Sequence, residues 1–359
     1  MSSRTIAFTG GGTAGHVMPN VAIIDHLRAK NWKMFYIGSS PIEERIIKST
    51  HIDYHSIFSG KLRRYFSFKN FVDVGKILIG FLQSLVILAG KRPDVVFSKG
   101  GYVSVPVCYA AFVLRIPVVT HESDFSPGLA TKLLRPIARR IFYSFEESAK
   151  FFAKEKSLCV GNPIRSQLGA GEKAEGARIC GFREPLSEPV ILVMGGSLGA
   201  KFLNDALSEC LPELTKKYKI IHLTGPGKAI SFAHANYKSF EYVSDELRHI
   251  FKITDVVVSR AGANSIFEFL SLRKPMLLIP LEVGSRGDQV ENAHIFEKNG
   301  WAKVLRQSDI NRETLLRAMD TLVQGMESMR RKQSERTLSS SVETIEREIN
   351  GLISSHSHG

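Results

Sequence analysis

Cysteine is scarce in this chain: of 359 residues only Cys108, Cys159, Cys180 and Cys210 are cysteines, all far apart and none in a C-x-x-C pair. That spacing excludes a zinc ribbon and a disulfide framework and reads as reduced thiols of a cytosolic protein. No D-x-D sequence occurs anywhere. That pair chelates a divalent ion on a diphosphate in many transferases, so any diphosphate handled here is neutralised by helix termini and basic side chains. No charged-then-apolar leader opens the chain, since Thr5 already begins a strand-like run. The longest apolar run, Ile77 to Gly90, is interrupted by Gln83 and Ser84 and reads as too short to span a bilayer. Acid is nearly absent from one segment: between Lys61 and Arg92, seven basic residues face the single Asp73.

What is present suits a globular protein. The chain is 43% hydrophobic and 23% charged, and its length fits two domains of about 150–200 residues. The net charge of +13 is unevenly spread. Residues 1–160 carry 22 Lys/Arg against 11 Asp/Glu, and the remainder 26 against 24. The basic face therefore belongs to the N-terminal half, where an anionic partner is expected.

Apolar strand-length runs alternate with helix-length segments, the pattern of parallel sheets with crossover helices. Strands are expected at 5–9, 34–38, 94–98 and 117–120, with 141–144 closing the first sheet. A second set is expected at 190–194, 219–224, 255–259 and 276–281. The Val160-Gly161-Asn162-Pro163 break and a polar stretch of low order from Gly169 to Glu188 mark the junction. The expected division is 1–162, 163–335, and a C-terminal helix with a loose tail at 336–359.

One pattern occurs twice: an apolar strand runs into a glycine-rich loop that opens a helix. The first copy ends Gly10-Gly11-Gly12-Thr13-Ala14-Gly15-His16 and the second Gly195-Gly196-Ser197-Leu198-Gly199. Glycines allow close backbone approach, and a helix start offers N–H groups and a positive dipole end, so each is a candidate anion cradle. Gly10, Gly12 and Gly15 formally match G-x-G-x-x-G, but the second strand ends in Gly38-Ser39-Ser40 with no acid for a ribose. That argues against a dinucleotide site and for a diphosphate.

Other chemistry-bearing residues fall at the same expected strand ends. His16 starts a helix, where it is either a general base or a residue bonding a nearby carbonyl. Lys99-Gly100-Gly101-Tyr102-Val103-Ser104 and His121-Glu122-Ser123-Asp124 each follow a strand. Arg165 lies at the junction, and Ser197 can help helix N–H groups hold a phosphate. Ser259-Arg260-Ala261-Gly262-Ala263-Asn264-Ser265 leads into a helix that carries Glu268, a carboxylate able to accept from ribose hydroxyls or simply to favour the helix dipole. Asp288, Gln289 and Asn292 open a further helix on that edge.

The basic segment carries Lys61, Arg63, Arg64 and Lys69, then an apolar stripe that includes Leu78, Phe81, Leu82 and Leu85. Ile79, Val86 and Ile87 widen the stripe beyond what one buried helix face needs. Excess apolar surface beside cations reads as contact with an anionic membrane, the alternative being a core helix with a solvated basic loop. Nucleic acid is not expected, because no binding module or aromatic stacking platform is recognisable.

Taken together, the Gly10–His16, Lys99–Ser104, His121–Asp124, Pro127-Gly128-Leu129, Gly161–Arg165, Gly195–Gly199 and Arg260–Glu268 motifs resemble, in order, those of the MurG family. These are bacterial UDP-N-acetylglucosamine transferases acting on undecaprenyl-pyrophosphoryl-MurNAc-pentapeptide (lipid I), and the likeness runs from residue 5 to about 305. The resemblance implies an α/β fold of GT-B architecture, two Rossmann-like domains with parallel sheets facing across a cleft. It implies donor contacts at Thr13, Ala14, Gly15, Asp124, Arg165, Ser197, Val243, Ala263, Asn264, Ser265, Ile266, Phe267, Glu268 and Gln289. It implies acceptor diphosphate contacts at Gly11, Gly12 and Tyr102, and His16 as candidate base. The reaction implied is an inverting displacement at C1 of GlcNAc by the MurNAc 4-hydroxyl, releasing UDP, with no obligatory metal or other cofactor. The partners implied are UDP-GlcNAc, lipid I, the anionic cytoplasmic face of the membrane, where the enzyme is peripheral, and other cell-wall enzymes.

Two positions depart from the family pattern. His121-Glu122-Ser123-Asp124 stands where His-Glu-Gln-Asn is usual, and an ionised Asp only accepts hydrogen bonds where Asn also donates, so Asp124 is expected either to bind a different donor hydroxyl or to share catalytically in proton removal. Ala14-Gly15 stands where Gly-Gly is usual. The alternatives are a related transferase on another lipid, a UDP-GlcNAc 2-epimerase, and a catalytically silent paralogue.

Overall fold

The computed structural model describes residues 4–12, 14–60, 69–196, 198–282, 287–336 and 340–356. The chain forms two compact units, Met1–Arg165 with Ser339–Gly359, and Ser166–Leu338.

The first unit is a seven-stranded parallel sheet ordered β3-β2-β1-β4-β5-β6-β7. Its strands are β1 (Thr5–Thr9), β2 (Lys33–Gly38), β3 (Asp53–Ser56), β4 (Val95–Ser98), β5 (Val118–Glu122), β6 (Arg140–Tyr143) and β7 (Ser157–Cys159). Its helices are α1 (Ala14–Arg28), α2 (Pro41–Lys48), α3 (Lys69–Lys91), α4 (Ser104–Val113) and α5 (Leu129–Leu134). β1, β4 and β5 are buried on both faces, as helix-covered parallel strands must be. The strand order reverses between β1 and β4, which opens a crevice at their carboxyl ends.

The second unit repeats the plan with six strands ordered β10-β9-β8-β11-β12-β13. They are β8 (Val190–Met194), β9 (Lys219–Leu223), β10 (Tyr237–Phe240), β11 (Val256–Ser259), β12 (Met276–Leu278) and β13 (Ala302–Val304). α6 (Lys173–Cys180), α7 (Lys201–Leu214), α8 (Leu247–Ile253), α9 (Ala263–Ser271), α10 (Asp288–Lys298), α11 (Arg312–Gln324) and α12 (Met326–Glu335) surround this sheet. Two parallel Rossmann-like sheets are therefore the architecture, as the strand and helix alternation implies.

Four expectations need correction. β7, not β6, closes the first sheet, and β3, β10 and β13 were not expected; all four are edge strands of three or four residues without a fully buried face. The supposedly unordered stretch holds α6, which packs so closely on α8 that a Cβ on Gly176 would lie 2.4 Å from the His249 carbonyl. α3 runs 23 residues, and its stretch Asp73–Lys91 is long and apolar enough to cross a membrane by length and composition alone. Counting from Ile77 missed its first turns, where Val74 and Gly75 extend the apolar content past Lys76. Last, α13 (Ser341–His356) returns to the first unit, burying Ile345 and Ile349 beside Val17, Ile24 and Val160.

The stripe of α3 divides between two environments. Leu88 is buried, and Phe81 and Leu85 pack with it against α4, so these two belong to the core side. Val74, Leu78, Ile79, Leu82 and Val86 stay exposed, 74% for Val86, and Phe112 and Val113 of α4 are exposed as well. Lys61, Arg63 and Arg64 lie outside the described residues, and Lys69 opens α3.

Candidate functional site

In the first unit the loops after β1 and β4 interlock. Gly11 N–H donates to Gly100 O at 3.3 Å, and a Cβ on Gly101, where φ is +82°, would lie 2.1 Å from Gly11 O. Gly12, with φ of +94°, sits under Tyr102, whose ring would be 2.7 Å from a Cβ there. Only glycine satisfies both the left-handed φ and the contact. Tyr36, buried by the sheet, donates its hydroxyl to Gly10 O, and its own proton is held far more tightly than usual because burial disfavours the phenolate.

Glu43 completes this loop and was not anticipated. Its Oε1 accepts from Gly12 N–H at 2.8 Å, while Oε2 accepts from Ser39 N–H at 2.7 Å and Ser40 N–H at 3.2 Å. The sequence signal was Ser40-Pro41-Ile42-Glu43, a capping box that the structure forms. Here the capping carboxylate also reaches the neighbouring glycine loop. Part of the first anion cradle is thus filled by the protein's own carboxylate. Thr13 lies outside the described residues; Ala14, Gly15 and the half-buried His16 form the start of α1.

A second network ties the ends of β4 and β5 to the 161–165 segment. Lys99 is 2% exposed, its stem against Gly10 and its ammonium on Ser123 Oγ, which in turn donates to Asn162 Oδ1 at 2.7 Å. Burial lowers its pKa to about 8 against the pull of Glu122 and Asp124. His121 Nε2 donates to Gly161 O at 2.8 Å, leaving Nδ1 as a bare, buried acceptor. Burial first, then the Lys99 charge, hold its pKa well below the usual histidine range, so it is neutral at pH 7. Glu122 accepts from Thr131 Oγ1 at 2.6 Å, Gly128 N–H at 2.9 Å and Asp124 N–H at 3.2 Å, which folds the loop that carries Asp124. Arg165 is half-buried and its charge reaches Asp25, whose pKa burial raises.

In the second unit the loop after β8 turns at Gly196 and Gly199, and Lys228 Nζ donates to Leu198 O at 2.6 Å and Gly199 O at 3.2 Å. Ser197 lies outside the described residues. Arg260 donates through Nη1 to Ile279 O at 3.1 Å and Pro280 O at 3.3 Å, stitching the ends of β11 and β12. Burial lowers its pKa. α9 begins after Gly262, which has no side chain to cap the helix start. Ala263, Ile266 and Phe267 are buried, Phe267 edge-on to Phe296, so these residues offer a ligand only backbone groups. Asn264, Ser265 and Glu268 occupy the half-buried face of the same helix. Gln289, in the first turn of α10, accepts from Leu281 N–H through Oε1 at 3.0 Å, a bond that does not use its amide NH2. Val243 is half-buried in the segment between β10 and α8.

Each sheet therefore gathers its candidate residues at its own carboxyl edge. Among the described residues, the first unit holds Gly11, Gly12, His16, Tyr102, Asp124 and Arg165. The second holds Val243, the α9 turn and Gln289.

Comparison with known proteins fits this arrangement. The glycosyltransferase family 28 N-terminal domain matches residues 6–143, and the glycosyltransferase family 28 C-terminal domain matches 190–348. A protein of Bacillus cereus named UDP-N-acetylglucosamine--N-acetylmuramyl-(pentapeptide) pyrophosphoryl-undecaprenol N-acetylglucosamine transferase 2 is 49% identical over 328 residues, 90% of this chain and 93% of that protein. The transferase of Shouchella clausii bearing the same name without the numeral is 47% identical over 354 residues, 96% of this chain and 99% of that one. The solved structure of MurG from Acinetobacter baumannii superposes with a TM-score of 0.75 at 22% identity, covering 97% of this chain and 99% of that chain.

Proposed function

The chain belongs to glycosyltransferase family 28, and from that premise we propose that it is the transferase that converts lipid I to lipid II. It moves GlcNAc from UDP-GlcNAc to the 4-hydroxyl of the MurNAc in undecaprenyl-pyrophosphoryl-MurNAc-pentapeptide, forming a β-1,4 link in peptidoglycan synthesis. The observation that carries this is near-half identity, along almost the whole chain, to proteins named for that reaction. The same relatives weigh against an epimerase, which shares only the architecture.

The donor is held by the second unit. Glu268 accepts from the ribose hydroxyls, the start of α9 and the Gly195–Gly199 loop take the diphosphate, and the Gln289 amide donates to the sugar. Arg165 adds its charge to the diphosphate. On the first unit, His16 takes the proton of the attacking hydroxyl and the interlocked glycine loops under Tyr102 receive the acceptor. Divalent metal has no obligatory part, a reading supported by the missing D-x-D pair. The exposed apolar row of α3 and α4, in the unit that carries most of the positive charge, supports docking on an anionic membrane.

The test is UDP release from UDP-GlcNAc in detergent, with and without a lipid I analogue, in buffer containing EDTA. Acceptor-dependent UDP with a disaccharide product is expected. Donor binding without turnover would move the assignment to another lipid acceptor, and rescue by magnesium would overturn metal independence.

A further inference from the structure

Lys228 is a cation bonded to backbone carbonyls of the loop after β8, and no role assigned above uses it. We propose that Lys228 is a positioning residue of the donor site. It gathers the carbonyls at the end of the Gly195–Gly199 loop and so sets the direction of the amides that meet the donor diphosphate. The inference rests on the reading that this loop takes the diphosphate.

Two loops meet here with no side chain between them. A Cβ on Gly199 would lie 2.0 Å from Thr224 O, and one on Gly225 would lie 2.6 Å from Leu198 O. The loop after β9 turns with Lys228 N–H on Gly225 O at 3.2 Å and Gly227 N–H on Glu241 Oε2 at 2.9 Å. That turn brings Lys228 Nζ to 2.6 Å from Leu198 O and 3.2 Å from Gly199 O. Thr224 O also accepts from Asn204 Nδ2 at 2.9 Å, and Asn204 Oδ1 lies 3.0 Å from Nε2 of the buried His222. The surface on which Gly199 rests is thus fixed from inside the unit.

In a trans peptide the C=O and N–H point in opposite directions. The Leu198–Gly199 peptide has its carbonyl on Lys228 and its N–H on Gly196 O at 3.0 Å, so both ends are held. The Gly199–Ala200 peptide also has its carbonyl on Lys228, which sends the Ala200 N–H away from the ammonium at the start of α7. Ala200 has no side-chain group to cap that helix, whose positive dipole end favours an anion. The first unit treats its glycine loop in the opposite sense, since there a carboxylate, Glu43, takes the N–H of Gly12. An ammonium on loop carbonyls makes the local field positive, where a carboxylate on a loop N–H makes it negative.

Ligand binding by the full-length protein tests this, through isothermal titration with UDP and displacement of UDP by uridine, which has no phosphate. Lys228→Met keeps the stem and removes the donors. It is expected to weaken UDP about tenfold while uridine stays within about twofold of wild type. kcat/KM for UDP-GlcNAc should fall with the UDP affinity, while KM for the lipid I analogue holds. Lys228→Arg, whose fork can reach two carbonyls, should recover UDP affinity to within about threefold of wild type. Equal losses for UDP and uridine would mean that Lys228 only props the loops, and an unchanged UDP affinity that it does not act on the diphosphate; either overturns the proposal. Should Lys228→Met fail to fold, Lys228→Gln removes the charge and puts the same comparison of UDP with uridine. A wild type that binds UDP but transfers nothing to lipid I would overturn the transferase reading, and the comparison would still decide the role of Lys228. A wild type that binds no UDP would overturn the donor-site reading, and the proposal with it.

Discussion

At Gly12 the amide N–H that a phosphate could use is bonded to Glu43 Oε1 at 2.8 Å, and the backbone there is pinned from above by Tyr102. The two glycine loops share a sequence pattern but not this feature, because the second unit has no counterpart to Glu43 on its loop after β8 among the described residues. The Ser40–Glu43 spacing, not singled out from the sequence, is a capping-box signal; that its carboxylate also reaches Gly12 depends on the fold of two loops far apart in the chain. Lys99 is similar: a lysine beside two glycines reads as exposed until the sheet buries it. Glu268 was legible as a candidate from its place one turn inside a helix at a strand end, and the structure leaves it on the half-buried face of α9. Replacing Glu268 with Ala is expected to raise the donor KM by about tenfold or more, the loss of charge-assisted hydrogen bonds to ribose, with thermal stability nearly unchanged. Isothermal titration with UDP checks it, and an unchanged affinity would remove Glu268 from the donor site.

At the scale of elements, what was legible follows burial. Val190-Ile191-Leu192-Val193-Met194 is apolar at every position and buried on both faces, and β8 has the bounds the sequence suggested. Asp53-Tyr54-His55-Ser56 offers no such run and becomes an edge strand held by its neighbour's ladder. The stripe of α3 was legible as excess apolar surface, but which residues face outwards was not, because it depends on where α4 lies. The row i, i+4, i+8 and i+12 formed by Val74, Leu78, Leu82 and Val86 is the exposed one. Changing Leu78, Leu82 and Val86 together to Ser should therefore weaken sedimentation with anionic vesicles at least about tenfold. UDP affinity and melting temperature should stay near wild type. Loss of folding would mean that the row is covered in the native protein, against the membrane reading.

Over the whole molecule, charge and architecture divide along similar lines. Residues 1–160 hold 22 basic against 11 acidic side chains, while the rest is close to balanced. Vesicle association should consequently fall steeply between about 0.05 and 0.3 M salt, as the Debye length shrinks below 10 Å, and should vanish on neutral lipid. Binding indifferent to both would assign the attraction to apolar contact alone. The division into units carries a different consequence. Ile345 and Ile349 belong to the core that Val17, Ile24 and Val160 begin, and His26 meets Glu346 at 2.8 Å across the same junction. In order of synthesis, every residue of the second unit emerges from the ribosome before the helix that completes the first. The first unit thus starts earlier and finishes later than the second, which folds as an insertion between its two parts.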